Sequence, residues 1–344
     1  MLDTLPRRPR GRRLARLLGK PIPGEAAVDP RDREILQLPG PPGPISARLH
    51  GRLTRDDLAA MRRSLTPGEA AELRAADPRE RRQLELSYAL AAAPAAAAHT
   101  GLSAVEPPPE VHTLVRGRRS LGGAYAYADS MVEALEAAGG DLASGRAALD
   151  FGCSSGRLVR ALRAAHPQVA WHACDPQQRA IAWAAEHFGD ISWLASPLEP
   201  PLPYADATFD AVFALSIWSH FGERAGLAWF ADMHRILAPG GHLVLTAHGF
   251  GTLRSLAERE RWAPEDVERA MQAMYRTGFH HHDTFGEGGD WGVPGGEDWG
   301  WAFISPEWIQ THLLPDWRVA EFRPGYIDAF QDLLVLQVPS ADVQ

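Results

Sequence analysis

The chain has 344 residues, a formal net charge of −8, 45% hydrophobic residues and 23% charged residues. This is the composition of a globular chain large enough for one domain with an appendage, or for two, and it excludes wholesale disorder. The acidic balance argues against general nucleic-acid binding, which needs a basic stripe. No run approaches the roughly 18 uninterrupted apolar residues of a membrane-spanning helix.

Charge is uneven along the chain. The first twenty residues hold Arg7, Arg8, Arg10, Arg12, Arg13, Arg16 and Lys20 against one acid, Asp3. No apolar segment of the kind a secretory signal requires follows them. Residues 1–50, with PGPPGP at 39–44, read as a Pro/Arg-rich arm: a solvated basic segment, or a contact for an acidic carrier protein, with a homodimer contact also left open. Lys20 is the only lysine, and the arginine and alanine bias suggests a GC-rich bacterial genome. The two cysteines, Cys153 and Cys174, form neither a disulfide framework nor a metal spacing, so a reducing cytoplasm is expected.

Residues 51–110 read as a helical extension and linker. Leu53 to Met61 is amphipathic. Thr66-Pro67-Gly68-Glu69 and Asp77-Pro78-Arg79-Glu80 each set a capping side chain before a proline at the first helical position. The stretch 94–110, ending Glu106-Pro107-Pro108-Pro109-Glu110, reads as linker.

From 111 the pattern alternates. Strands are predicted at 147–151, 169–174, 191–195, 210–215 and 242–247, with helices over 156–165, 177–188 and 224–237 between them. Alternation of this kind calls for a parallel sheet covered by helices on both faces. A long charged helix is predicted over 253–275, then a Gly- and Trp-rich loop (278–301) and a short helix started by Ser305-Pro306-Glu307. Strands at 317–322 and 331–338 close the chain.

LDFGCSSGR (149–157) carries the strongest chemical signal. A strand ends at Asp150, Gly152 and Gly156 let the backbone turn tightly, and a helix N-terminus follows with unpaired N–H groups. Alone, such a turn could serve a dinucleotide, a nucleoside or nothing. Asp175, at the end of the next strand, adds an acid placed to accept hydrogen bonds from ribose hydroxyls. The dinucleotide fingerprint lacks its third glycine, with Arg157 close to that place, and Asp150 would repel a pyrophosphate while suiting a ligand with a cationic group.

These residues resemble the first two motifs of the class I S-adenosylmethionine-dependent methyltransferases. PPLPYADATFDAVFALSIWSHF (200–221) resembles the stretch leading through their fourth strand, RILAPGGHLVLTAHG (235–249) their fifth-strand motif, and QDLLVL (331–336) their last strand. The resemblance covers about 111 to 340. It departs at Ser154, which replaces the middle glycine, and at Ser196-Pro197, where an acid is preferred. It implies an α/β, Rossmann-like, mostly parallel seven-stranded sheet with an antiparallel last strand, in a domain over 111–344 whose residues 251–310 form an acceptor-binding insertion or lid.

The implied cofactor is S-adenosyl-L-methionine, held by Tyr125, Asp150, Gly152, Ser154, Gly156, Asp175, Pro176, Ser196, Leu198 and Leu215. Histidine is the base expected near neutral pH for an oxygen or nitrogen acceptor. His220, His248 and His281 are the catalytic candidates, against the plainer readings of capping or solvated side chains. His280 and His282 alternate away from His281 in an extended chain and, with Trp291, Trp299, Trp301 and Gln331, are expected to face substrate. No metal is expected, because the histidine run repeats no known ligand spacing.

The reading is O-methylation of a small-molecule or glycan-like acceptor in bacterial secondary metabolism, with no nucleic-acid or membrane partner. Two alternatives stay open: a module that binds the cofactor without transfer, and an NAD-dependent oxidoreductase on the same sheet type.

Overall fold

The computed structural model describes residues 43–103, 105–108, 111, 121, 124–259, 261–282 and 299–340. The arm as far as residue 42, and Trp291, lie outside the described residues.

Five helices open the described chain: α1 (Pro44–His50), α2 (Arg55–Ser64), α3 (Pro67–Ala75), α4 (Pro78–Ala92) and α5 (Pro94–Thr100). Their starts follow the local sequence. Thr54 and Thr66 each form a reciprocal capping box, and the Asp77 side chain accepts from the amides of Arg79 and Glu80. Two boundaries differ from expectation. Helix begins at Pro44, inside the stretch read as arm, and Pro94 starts a helix inside the stretch read as linker, because proline fits the first helical turn, where its missing N–H costs nothing.

These helices share one hydrophobic core with the sheet domain. Ile45, Leu49, Leu86 and Ala96 are buried with Met131, Leu162 and Phe213. Helix α6 (Ala124–Ala137) supplies the clasp: Asp129 Oδ1 accepts from the amides of Ile45 and Ser46 at 2.8 Å, and Gln83 Nε2 donates to its Oδ2 at 2.9 Å. Arg52 donates to the carbonyls of Thr100 and Ala164, and Arg48 to that of Ala165. The last two carbonyls sit at the C-terminal end of helix α7 (Arg157–Ala165), which has no intrahelical donors for them.

The strands are β1 (Ala147–Phe151), β2 (Ala170–Asp175), β3 (Ser192–Ala195), β4 (Phe209–Ala214), β5 (Leu237–Ala247), β6 (Phe279–His282), β7 (Trp301–Ile304), β8 (Arg318–Ile327) and β9 (Gln331–Gln337). Seven of them form one sheet in the order β3-β2-β1-β4-β5-β9-β8, and β6 pairs with β7 in a separate ribbon. β1 to β5 run parallel, while β9 is antiparallel to both β5 and β8. This is the sheet expected from the sequence. Pro239-Gly240-Gly241 does not precede β5 but bulges within it, where the register with β4 jumps from Phe209↔Leu237 to Ala211↔His242.

Helices α8 (Gln178–His187) and α9 (Glu223–Ile236) complete the crossovers. After β5 the chain makes two helices, not one: α10 (Phe250–Glu258) and α11 (Pro264–Thr277). Pro264 breaks the periodic pattern and begins the second. Helix α12 (Pro306–Leu313) follows β7, with Ser305 accepting from the Trp308 amide.

Candidate cofactor and acceptor site

The carboxyl ends of β1, β2, β4 and β5 and the start of β9 meet along one edge of the sheet. That edge is where ligands bind in open parallel sheets, at the point where strand order reverses. Here the reversal lies between β1 and β4.

β1 leads directly into the glycine turn. The amides of Gly152 and Cys153 both donate to the Cys174 carbonyl, at 2.9 and 3.0 Å, folding the turn against β2. Gly152, Ser154 and Gly156 all take positive φ, at 77°, 50° and 83°. Side-chain packing also forbids a Cβ at two of them, because Ile217 covers Gly152 and the Trp193 ring covers Gly156. Ser154 therefore adopts the left-handed backbone a glycine would supply. It is held there by a 2.8 Å hydrogen bond from its amide to Asp175 Oδ2.

Asp175 is buried, and Gln177 N donates to its Oδ1 at 2.8 Å. Two of the roughly four lone-pair directions of a carboxylate are thereby taken, leaving one on each oxygen for a pair of hydroxyls. Burial raises its pKa, although the two backbone donors oppose the rise. Asp150 is buried as well and accepts from Val159 N at 3.1 Å in the first turn of α7. Burial pushes its pKa up to about 7, and the nearby Asp175 charge adds to the rise. Two buried acids flanking a bare-backbone turn fit a nucleoside ligand that brings ribose hydroxyls and a positive charge. They do not fit a pyrophosphate.

The rest of the expected cofactor set is placed less tightly. Ser196 N donates to the Asp175 carbonyl at 3.1 Å, so the chain after β3 passes beside the acid, with Leu198 exposed and Pro176 half-buried. Leu215 is half-buried at the end of β4. Tyr125 departs from expectation. Its ring is fully buried between α6 and the core, and its hydroxyl has no partner. The apolar face of α6 claims it for packing.

Strand β7 runs in the crevice between the segments that leave β4 and β5. The amides of Gly300 and Ala302 donate to the carbonyls of His220 and Ser219, and Ile304 N donates to the His248 carbonyl, each at 2.8 Å. The insertion is thus stitched into the sheet edge through its returning strand.

The stitching brings the three candidate bases together. The His220 and His248 rings lie 6.2 Å apart, and His281 reaches close enough to depress the His220 pKa. His220 Nδ1 is 2.7 Å from the Gly300 carbonyl, and burial drives its pKa down to about 4. Burial drives the His248 pKa well below the usual imidazole range.

His280 and His282 share the other face of β6, 6.4 Å apart, with His282 against Trp262 at 4.6 Å. The described residues contain no group of three or more side chains able to hold a metal ion. Trp299 stacks on His220 at 5.0 Å and Trp301 on His248 at 4.8 Å, so each tryptophan has one face against an imidazole.

Gln331 is joined to the sheet edge: its Oε1 accepts from Thr246 Oγ1 at 2.6 Å and Ser216 Oγ at 3.1 Å. Ser216 and Thr246 escaped the sequence reading, as did Trp262, Phe303 and Phe330, which pack around His248 and Trp301. A polar residue just past β4 and another at the penultimate position of β5 were the available signal for the first pair. The three rings carried none, since their meeting depends on the ribbon.

A cavity of about 240 Å³ lies at the opposite edge of the sheet, lined by Leu142, Asp210, Pro239 and His242 among others. It contains neither the glycine turn nor the strand-end acids, and it faces the amino ends of the strands.

A sheet of this order, with a glycine turn after β1 and a buried acid closing β2, defines the class I S-adenosyl-L-methionine-dependent methyltransferases. Residues 148–241 match the family model of a methyltransferase domain, and this part of the chain is such a domain.

Malonyl-[acyl-carrier protein] O-methyltransferase of Hahella chejuensis is 32% identical over 98 residues, 28% of this chain and 34% of that protein. The biotin biosynthesis bifunctional protein BioHC of Teredinibacter turnerae is 30% identical over 149 residues, 40% of this chain and 25% of that protein. The matches thus span about a third or less of these curated relatives. Among solved structures, the PH0226 protein of Pyrococcus horikoshii aligns over 61% of this chain and 90% of its own at 15% identity, with a TM-score of 0.42. The N-methyltransferase NodS of Bradyrhizobium japonicum, in complex with S-adenosyl-l-homocysteine, aligns over 62% and 87% at 17% identity, with a TM-score of 0.38.

Proposed function

We propose that the protein transfers a methyl group from S-adenosyl-L-methionine to an oxygen of a small-molecule or glycan-like acceptor. The observation that carries this reading is the pair of buried acids, Asp150 and Asp175, on either side of the glycine turn. When bound, the cofactor supplies an electrophilic methyl on a sulfonium. Asp175 holds the ribose hydroxyls with its remaining lone pairs, and Asp150 sets a negative charge beside the cationic end. Gly152 and Gly156 supply the positive φ that folds the turn against β2. The Gln331–Thr246–Ser216 hydrogen bonds fix the chain leaving β4, so the reacting groups meet in line. Positioning of this kind supplies a large part of the acceleration of a direct displacement.

His220, His248 and His281 stand at the acceptor side, with Trp299 and Trp301 as flat walls. Their aromatic and neutral character suits a flat or ring-shaped acceptor with a hydroxyl. A setting in bacterial secondary metabolism, a cytoplasmic location and a carrier-protein contact through the basic arm complete the reading. No helix among the described residues is long and apolar enough to cross a membrane.

Calorimetry with S-adenosylhomocysteine and with NAD tests the cofactor, and labelled cofactor with a panel of hydroxyl acceptors tests transfer. Heat with S-adenosylhomocysteine alone, lost in Asp175→Ala, is expected. Binding of NAD alone would overturn the reading, and cofactor binding without transfer to any acceptor would favour a non-catalytic module.

A further inference from the structure

The cavity of about 240 Å³ at the amino ends of the strands has a histidine in its wall. His242 follows the Pro239-Gly240-Gly241 bulge of β5 and is 5% exposed. Its Nε2 is buried without a partner. Burial lowers its pKa, the Ala138 carbonyl opposes the fall and the Arg318 charge adds to it, so the ring is neutral at neutral pH. Buried polar atoms nearly always have partners in native proteins, so an orphan in a cavity wall calls for an explanation in ligand or water.

The charged groups of the wall are both acids, Asp141 and Asp210, and among the described residues no lysine or arginine lines the cavity. Backbone amides pin one oxygen of each carboxylate: Ala143 N donates to Asp141 Oδ1, and Arg146 N and Ala147 N donate to Asp210 Oδ2. Arg146 Nη2 comes only to 3.6 Å from Asp210 Oδ1, too far for a hydrogen bond, and its side chain is 80% exposed. Gly139 and Gly140, just past the end of α6, bring the negative end of that helix to the same wall. Leu135, Leu142, Val169 and Pro239 make the remainder apolar.

We propose that this cavity is a second binding site, separate from the cofactor edge, that takes a guanidinium group on an aliphatic stem. The planar fork of N–H donors matches carboxylate oxygens better than a compact ammonium does. The apolar wall takes the stem, and the neutral His242 ring offers Nε2 as an acceptor for a remaining N–H. The volume lies below the roughly 300–1,000 Å³ of pockets for drug-sized ligands, which suits one side chain or a small guanidino compound. Two sources carry this group: a free guanidino compound, and the six arginines within the first twenty residues of the chain itself. The proposal does not rest on the methyl-transfer reading.

Nitrogen-15 spectra of the histidine-labelled protein, titrated with n-butylguanidinium, test the site, with a His242→Gln spectrum providing the assignment. The same titration is made on the protein carrying serine in place of Arg7, Arg8, Arg10, Arg12, Arg13 and Arg16. If the occupant is a free compound, n-butylguanidinium is expected to shift the His242 ring signals in both proteins. If the chain's own arginines fill the cavity, the His242 signals differ between the two proteins before any addition, and only the substituted one responds. Signals alike in both proteins and unmoved in either overturn the proposal. So does an equal shift with n-butylurea, which has the same stem but no charge.

Asp141→Asn combined with Asp210→Asn keeps an acceptor oxygen for each backbone amide and removes both charges. In whichever protein binds n-butylguanidinium, the pair of substitutions is expected to weaken that binding about tenfold or more, as the loss of charged hydrogen-bond acceptors does. Undiminished affinity would place the ligand elsewhere and overturn the proposal, and this comparison holds on the wild-type titration even if the arginine-substituted protein fails to fold.

Discussion

The amide of Ser154 donates to Asp175 Oδ2 at 2.8 Å, across the gap between the glycine turn and the end of β2. One hydrogen bond thereby ties the glycine turn to the acid at the end of β2, the two halves of the proposed cofactor cradle. It also explains how serine stands where the resemblance leads one to expect glycine. The φ of 50° at Ser154 is unfavourable for a side-chain-bearing residue but is secured by a buried charged acceptor.

Ser154→Gly should leave the fold intact and change its stability little, because relief of backbone strain offsets the added freedom of the unfolded chain. Ser154→Val should destabilise by about 1–2 kcal/mol, the cost of forcing a side chain into the left-handed region, and should weaken S-adenosylhomocysteine binding. Thermal unfolding and calorimetry on the two variants check this; equal behaviour would remove the role given to the backbone here.

Asp175→Ala should weaken S-adenosylhomocysteine binding by roughly a hundredfold to ten-thousandfold, since two hydrogen bonds to a charged group contribute about 1.5–3 kcal/mol each. Asp175→Asn, which keeps one acceptor oxygen, should lose less. Calorimetric affinities of the three proteins decide the order.

Asp150 makes binding and stability respond to pH in opposite directions. Its pKa is raised to about 7, so the folded protein holds this proton more tightly than the unfolded chain does. The associated stability is fully present below the ordinary carboxylate range and is lost as pH rises through about 7. A cationic ligand prefers the ionised acid, so affinity for S-adenosylhomocysteine, with its ammonium group, should increase over the same range. Asp150→Asn should flatten the binding profile, as read by calorimetry from pH 5.5 to 8.5, on the order of one to two units either side of that pKa.

Asp129 joins the helical extension to the sheet domain by accepting from Ile45, Ser46 and Gln83. Asp129→Ala leaves buried donors unsatisfied and should cost about 2–3 kcal/mol, at one to three for each such group less what water recovers. Because the extension and the sheet share one core, unfolding should remain a single transition at a lower temperature. Two separated transitions in calorimetry would show that the extension folds on its own.

The sheet, the glycine turn and both acids are legible in the local order of residues. Those features are local: alternation of apolar runs sets strands and helices, and a turn needing positive φ marks itself with glycine. Capping residues likewise mark Thr66, Asp77 and Ser305 as helix starts. Only the folded chain shows that β7 threads between the chain segments leaving β4 and β5, that the His220 and His248 rings come within 6.2 Å of each other, and that Tyr125 is buried. It also decided that arginines from α1 and the segment just after it close the end of α7. Each is a contact between residues far apart in the chain, whose formation depends on which surfaces remain to be buried once the sheet exists. Nothing in the local pattern of either partner records that.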